Sequence, residues 1–255
     1  MTYPQHPKKW KEKALIDPRH FLEYLKSQGR APSAVPRSMI IGWSRHLYSY
    51  VKKRYQMGER SHDSPYSGLT IPDTNGKVGF FGGFGIGASA TVNYAEELIA
   101  LGARQVIGIG MAGSLREDLP AGSLVVCTKA IRDEGTSLHY LPPSRYAYPS
   151  ETLTRKVVKA LRADDLKFVE GPSWTVDAPY RETLSEIRRW RKEGIQTVEM
   201  EISALFCLAK YRRARSAAVF VVSDVLHDDG WRPQFHDASD GLIAAFEAVK
   251  KALAA

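Results

Sequence analysis

Cysteine is nearly absent: the 255 residues hold only Cys127 and Cys207, both inside apolar stretches. They read as small core residues, so no structural disulfide is expected and a reducing compartment, the cytoplasm, is. No run of 18 or more apolar residues occurs, so no segment is expected to span a membrane. Met1 to Lys13 carry charge with no apolar stretch behind them, and no secretory signal is read there. Low-complexity linkers and internal repeats are also missing. His227, Asp228, Asp229 and His236 crowd one stretch, but their spacing fits no common metal site. No metal is expected.

Acidic residues are outnumbered, 28 Asp and Glu against 36 Lys and Arg, for a net charge of +8. The excess is spread along helical stretches, as in Lys156, Lys159, Arg188, Arg189, Arg212 and Arg213, instead of forming one tract. No helix-turn-helix, zinc or RNA-recognition signature accompanies it, so nucleic acid is not the expected partner. Attraction of a small anionic substrate remains compatible with the charge.

What is present is a composition, 44% hydrophobic and 25% charged, that supports a sizeable core. Residues 1–36, rich in Pro, Lys and Arg, read as an N-terminal arm with a short helix near Pro18 to Gln28. Residues 37–255 read as one domain. Strands are expected at Ser38 to Gly42, Lys77 to Gly82, Gln105 to Gly110, Ser123 to Ile131, Phe168 to Val176, Ile195 to Val198 and Ala217 to Ser223. Helical spacing falls between them, at Ala88 to Leu101, Ser150 to Ala163, Arg181 to Glu193, Met200 to Tyr211 and Ala238 to Leu253. In the first of these Val92, Ala95, Leu98 and Ile99 form an apolar stripe, with Glu96 and Glu97 expected to face away from its centre. The alternation predicts a single three-layer α/β domain whose central mixed, largely parallel sheet is flanked by helices. Ligands of such sheets bind beyond the carboxyl ends of the strands.

Three strand ends carry candidate chemistry. The loop Gly82-Gly83-Phe84-Gly85-Ile86-Gly87-Ala88-Ser89 opens a helix, where glycines permit positive φ and the helix N-terminus favours an anion. It fits a permissive dinucleotide fingerprint, but no acidic residue follows the next strand at Gly108-Ile109-Gly110 to hold a ribose hydroxyl. Val198-Glu199-Met200-Glu201 puts two carboxylates at a strand-to-helix junction, and a carboxylate there can accept from two vicinal hydroxyls. The same acids would also suit the helix dipole. Val221-Val222-Ser223-Asp224 ends an apolar strand in an acid that can protonate a ring nitrogen or cap the next segment.

In this order and at these separations the three elements resemble the nucleoside phosphorylase family, which includes purine nucleoside phosphorylases, uridine phosphorylases and related nucleosidases. The resemblance extends from Ser38 to Val225. It includes Gly110-Met111-Ala112-Gly113, similar to the family's small-residue turn after a central strand, and the uridine-phosphorylase-like stretch from Asp133 to Tyr140. It also includes Trp174 to Tyr180, which resembles the base-binding segment with Asp177 at its acidic position. The resemblance implies that Met200 and Glu201 hold the ribose, with Glu201 on its 2′ and 3′ hydroxyls. Val198, Glu199, Asp177 and Tyr180 would surround the base, and Asp224 would be the acid at purine N7. Tyr180 and Trp174 both remain open as the aromatic that stacks on the base. The Gln and Arg pair that uridine-cleaving members turn toward uracil is not evident between Asp177 and Glu182, so a purine is expected.

The phosphate ligands depart from the family pattern. Gly42-Trp43-Ser44-Arg45 resembles the phosphate-binding turn with its Arg one residue early, and His46 stands at the usual spacing. Gly108 stands where a second phosphate Arg belongs, and Met111 where a Ser or Thr does. The expected nucleophile site is therefore Gly42, Arg45, Gly85 and Met111, with Arg116, Arg132 or a neighbouring subunit's Arg as further sources of charge. The activity implied is phosphorolysis of a purine nucleoside, with phosphate as co-substrate and no cofactor. Hydrolysis by water and a nucleoside-binding or storage protein without catalysis are the alternatives. The family's members assemble as dimers, often three around an axis, which implies a homo-oligomer, dimer or hexamer, here. Trp231 and Arg232 are expected on a loop over the pocket, and His20 in the arm is a weaker candidate for reaching an adjacent subunit's sugar.

Overall fold

Ile40 and Ile41 are sequence neighbours, yet they enter different cores. The computed structural model describes residues 6, 8–30, 34–58, 66 and 68–255. Its elements, in chain order, are α1 (Pro18–Ser27), β1 (Ser38–Gly42), α2 (Arg45–Arg54), β2 (Val78–Gly82), α3 (Ala88–Ala100), β3 (Gln105–Ser114), β4 (Leu124–Asp133), β5 (Tyr146–Ala147), α4 (Glu151–Ala163), β6 (Phe168–Val176), α5 (Leu184–Lys192), β7 (Thr197–Glu199), α6 (Ile202–Tyr211), β8 (Arg215–His227), β9 (Gly230–Pro233) and α7 (Ser239–Ala254).

Successive side chains on a strand point to opposite faces. Ile41, Phe81 and Val106 therefore pack with α1, α3 and α6, while Ile40, Phe80 and Ile107 pack with α2, α4 and α7. A third, smaller cluster puts Ile187 and Trp190 of α5 against Trp174 and Val198. The result is helices on both faces of one mixed sheet, because strands buried on both sides need two apolar coats. Parallel ladders join β1 to β2, β1 to β3, β3 to β8, β4 to β6 and β6 to β7. The antiparallel pairs are β3 with β7, β4 with β8, β4 with β5 and β8 with β9.

Pairing of β3 with both β7 and β8, and of β4 with both β6 and β8, bends the sheet into a closed ring of β3, β7, β6, β4 and β8. That closure brings the ends of β3, β7 and β8 together. The motif Gly110 to Gly113 lies inside β3, which runs on to Ser114 with a register shift at Ala112/Gly113, and is not a turn after the strand. At Gly113 the strands crowd together: a Cβ there would meet Leu226 at 2.7 Å, Asp224 Oδ2 at 2.9 Å and Val198 at 3.1 Å.

The helix starts follow local capping chemistry. Asp17 caps α1 ahead of Pro18, Ser44 caps α2, and Thr183 with Glu186 forms a reciprocal capping box on α5. α1 packs on α3 through the buried Leu22 and Leu25, so the described part of the arm joins the core. Glu96 and Glu97 differ from the expectation for α3, since both are buried. Glu96 receives a two-pronged contact from Arg212, at 2.6 and 2.9 Å, which explains its tolerance of burial. Cys127 and Cys207 are buried free thiols. Among the described residues no helix is long and apolar enough to cross a membrane.

Candidate active site

β7 ends at Glu199 and α6 begins at Ile202, so two residues turn the chain between them. Glu199 serves this junction from within: Oε2 accepts from the backbone N–H of Glu201 at 2.8 Å and of Ile202 at 2.7 Å. Its Oε1 accepts from the Thr175 hydroxyl at 2.6 Å and the Ser173 hydroxyl at 3.2 Å. With its acceptors used this way the Glu199 carboxylate braces the start of α6 from the cavity wall. Beneath it the stretch from Asp133 braces the same junction: Glu134 accepts from Ser203 at 2.8 Å and Asp133 from the Trp174 indole at 2.9 Å.

Glu201 points the other way. Its Oε1 accepts from Gly87 N–H at 2.6 Å and its Oε2 from Met200 N–H at 3.2 Å. Gly87 precedes α3 with φ +101°, a backbone state that a side chain would strain, so the glycine-rich loop supports Glu201. Burial pushes the Glu201 carboxyl up to about 8, Glu199 beside it adds like charge, and the two backbone donors oppose the shift. Burial likewise raises Glu199, to about 7, against its four hydrogen bonds.

Both residues border a cavity of about 760 Å³ that also takes in Met111, Tyr180, Glu182, Val198, Met200, Ser223, Asp224 and Trp231. Asp224 lies on β8 beside its crossing with β3. Its Oδ1 accepts from the Ser223 hydroxyl at 2.6 Å and its Oδ2 from the Trp231 indole N–H at 2.7 Å. Trp231 sits on β9, which folds back along β8, and the hairpin tip is tied to α5 by Arg188 and Arg191 on Asp228. Among the described residues six carboxyl side chains line this cavity, Glu182, Glu199, Glu201, Asp224, Asp228 and Asp229, and no Lys or Arg does. Asp228 and Asp229 are paired with arginines, while the other four have no cationic partner among the described residues.

The remaining expected residues fall in different places. Val198, Met200, Glu201, Tyr180, Met111 and Asp224 meet at the cavity. Tyr180 is 98% exposed at its mouth, whereas Trp174 is fully buried in the α5 cluster, so of these two candidates Tyr180 is the one that borders the cavity. Asp177 is outside the lining and accepts from Gly135 N–H at 2.9 Å, tying two loops together in place of the base contact expected. Gly42 faces the Phe80 ring, and Gly85 is exposed with φ +100°; neither lines the cavity. Arg116 is paired with Asp118, and Arg132 is held by Ser137, Ser144 and Pro142 O, so neither arginine replaces a phosphate ligand. Arg232 turns to Asp229. No group of three His, Cys, Asp or Glu among the described residues is placed to share a metal ion.

Trp43 explains Gly108. A Cβ at Gly108 would lie 2.7 Å from the Trp43 ring, and one at Gly110 also 2.7 Å from it. The indole therefore lies across both glycines, with Nε1 donating to Thr91 Oγ1 at 2.7 Å. It fills the space where a side chain on β3 would project. On its other side a second cavity, about 470 Å³, contains Arg45, His46, His236 and Ser239 and shares Trp43, Ser44, Met111 and Phe235 with the first. Among the described residues no carboxylate lines it. Trp43 and Glu182 were not singled out in the sequence as site residues; the signal for Trp43 was its place directly after the first strand.

Residues 58–254 match the model of the phosphorylase superfamily. Similar proteins include a uridine phosphorylase of Treponema pallidum, 33% identical over 180 residues, 65% of this chain and 70% of that one. A guanosine phosphorylase of Halorubrum lacusprofundi is 30% identical over 170 residues, 67% of this chain and 66% of that one. The chain thus spans about two thirds of these relatives. Similar solved structures include a purine nucleoside phosphorylase of Toxoplasma gondii in complex with immucillin-H, with TM-score 0.73, 20% identity and coverage of 86% and 91% of the two chains. An AMP nucleosidase of Bacteroides thetaiotaomicron has TM-score 0.71, 18% identity and coverage of 92% and 96%. At these identities the structural matches carry the fold alone. Sequence match, fold and the strand-end cavity agree: the chain belongs to the phosphorylase superfamily.

Proposed function

We propose that this protein is a nucleoside phosphorylase that cleaves the N-glycosidic bond of a purine nucleoside, giving free base and ribose 1-phosphate. The observation that carries the reading is that Glu201 and Asp224, from different elements, face one cavity with Met200 beside them. Glu201 accepts from the 2′ and 3′ hydroxyls, Met200 packs under the sugar, and Tyr180 covers the base. Asp224 is the carboxyl that meets the purine ring nitrogen. A leaving base that takes a proton there departs neutral while the sugar gains oxocarbenium character, and the surrounding carboxylates favour that positive charge. A purine is favoured over uracil because among the described residues no Lys or Arg lines the cavity to donate to uracil carbonyls. Phosphate, an anion, is placed on the cationic side of Trp43, at Arg45 and His46, with Met111 between it and the sugar. No cofactor takes part in the proposed reaction.

The second reading is hydrolysis. It is favoured by one observation, the Trp43 ring over Gly108 and Gly110, which closes the place of a phosphate-binding side chain on β3. The two buried free thiols fit a reducing compartment, and the proposal places the enzyme in the cytoplasm as a homo-oligomer, dimer or hexamer. Residues 1–36 are proposed as an arm on a domain of residues 37–255. The test is base release from inosine or guanosine by wild type and Asp224→Ala. The expected loss in the variant is about 10²-fold, the scale of a lost catalytic carboxyl. Equal turnover by both proteins removes Asp224 from the reaction.

A further inference from the structure

Asp224 has no oxygen left idle. Ser223 and Trp231 both donate to it, so its two oxygens are fixed in place to anchor a base. Glu182 stands in the opposite condition. It lines the same cavity, is half-buried just before α5, and its carboxyl makes no hydrogen bond or ion pair among the described residues. The adjacent helix cap is complete without it, because Thr183 and Glu186 satisfy each other.

We propose that Glu182 is a second catalytic carboxyl of this site, the one that delivers a proton to the departing base. The proposal rests on the purine-cleavage reading above. As the C1′–N9 bond breaks, its electron pair moves into the purine ring and the Glu182 O–H proton passes to a ring nitrogen. The Asp224 carboxylate beside it stabilises the new N–H. The nucleophile closes on C1′ from the other face, and Glu182, left ionised, takes its next proton from solvent at the cavity mouth. Burial raises Glu182 to about 7, and the like charges of Asp224 on β8 and Glu186 on α5 add to the shift. Asp228, Asp229 and His227 on the β8–β9 hairpin, Tyr180, and the inner Glu199 and Glu201 are the other ionisable groups of the cavity among the described residues. A carboxyl raised to about 7 keeps its proton in about half of the molecules at neutral pH, and base release that depends on it declines as pH rises through about 7.

The test is the pH profile of kcat/KM from pH 5 to 9 for wild type, Glu182→Gln and Asp224→Asn. Inosine and 7-methylguanosine are compared, because the ring of the latter is already cationic and leaves without a proton. With inosine at pH 6, Glu182→Gln is expected to lose about 10²-fold and its decline near pH 7 to vanish. With 7-methylguanosine the same variant stays close to wild type, a split that a merely structural role would not produce. Asp224→Asn removes a like charge and moves the decline to lower pH. Equal losses on both substrates, or a decline near pH 7 that survives in Glu182→Gln, overturns the proposal. Wild-type protein that releases no base from either nucleoside overturns the underlying reading, and the role of Glu182 with it.

Discussion

Trp231 closes on Asp224: the indole N–H donates to Oδ2 at 2.7 Å, from a strand whose ring is 58% exposed. A base that hydrogen-bonds to that oxygen competes with the indole for it. Trp231→Phe keeps the ring and deletes the donor. A hydrogen bond to a charged group contributes about 1.5–3 kcal/mol at most when buried, and less at this exposed position. Removal of the competitor should therefore tighten purine nucleoside binding by up to about tenfold, measured by equilibrium titration. Weaker binding in the variant would show that the indole contacts the base directly.

Glu201 is expected to read the sugar. Wild type should favour ribonucleosides over 2′-deoxyribonucleosides, since a missing hydroxyl leaves a buried carboxylate short of a donor, at a cost of about 1–3 kcal/mol. Glu201→Ala should lower kcat/KM for inosine and abolish the preference over 2′-deoxyinosine. A preference retained in the variant would assign sugar recognition to another residue.

Gly108→Ala should destabilise the protein by about 1–3 kcal/mol, the usual cost of forcing an extra methyl into a packed site. The new Cβ would lie 2.7 Å from the Trp43 ring and 2.8 Å from Ile202. Denaturant midpoints at constant slope measure it. An unchanged midpoint would mean that Trp43 moves aside freely.

Glu97 gives the pH dependence of stability. Burial raises it to about 7 from 4.5, with no ionic partner among the described residues to offset the cost. The folded state then binds the proton more tightly than the unfolded one, so this contribution is full below pH 4.5 and is lost as pH rises through about 7. Glu97→Gln should therefore match wild type near pH 5 and exceed it at pH 8 by about 2–4 °C in Tm, as for about 1 kcal/mol in a chain of this size. A variant equally stable at both pH values would show that Glu97 carries no such cost.

The strands of this fold were legible where an apolar run met Gly or Pro, and β1 and β6 have the bounds that the sequence predicts. α2 was not, because Arg45–Arg54 buries only Leu47 and Val51 in a run of polar and aromatic residues. β9 was not, because its four residues are all exposed and end in Pro233. At the site, Glu201 could be read from its place just beyond β7; Asp224 closes an apolar run, but β8 continues past it to His227, so the strand end expected there is not one. The inward turn of Glu199 could not be read, since two carboxylates two residues apart look alike until the start of α6 takes one of them. Nor could the filling of Gly108 by Trp43, a contact between residues 65 positions apart whose signature in the sequence is only a missing side chain. Glu97 was misread because a stripe of four apolar residues was taken as the buried face, whereas α3 is covered by both α1 and α6.

The most direct test of the central claim is product analysis after incubation with inosine, with and without phosphate. The account predicts hypoxanthine and ribose 1-phosphate, formed only when phosphate is present. Free ribose at an equal rate without phosphate would contradict it, and would mean that Trp43 and Met111 shape a site for water.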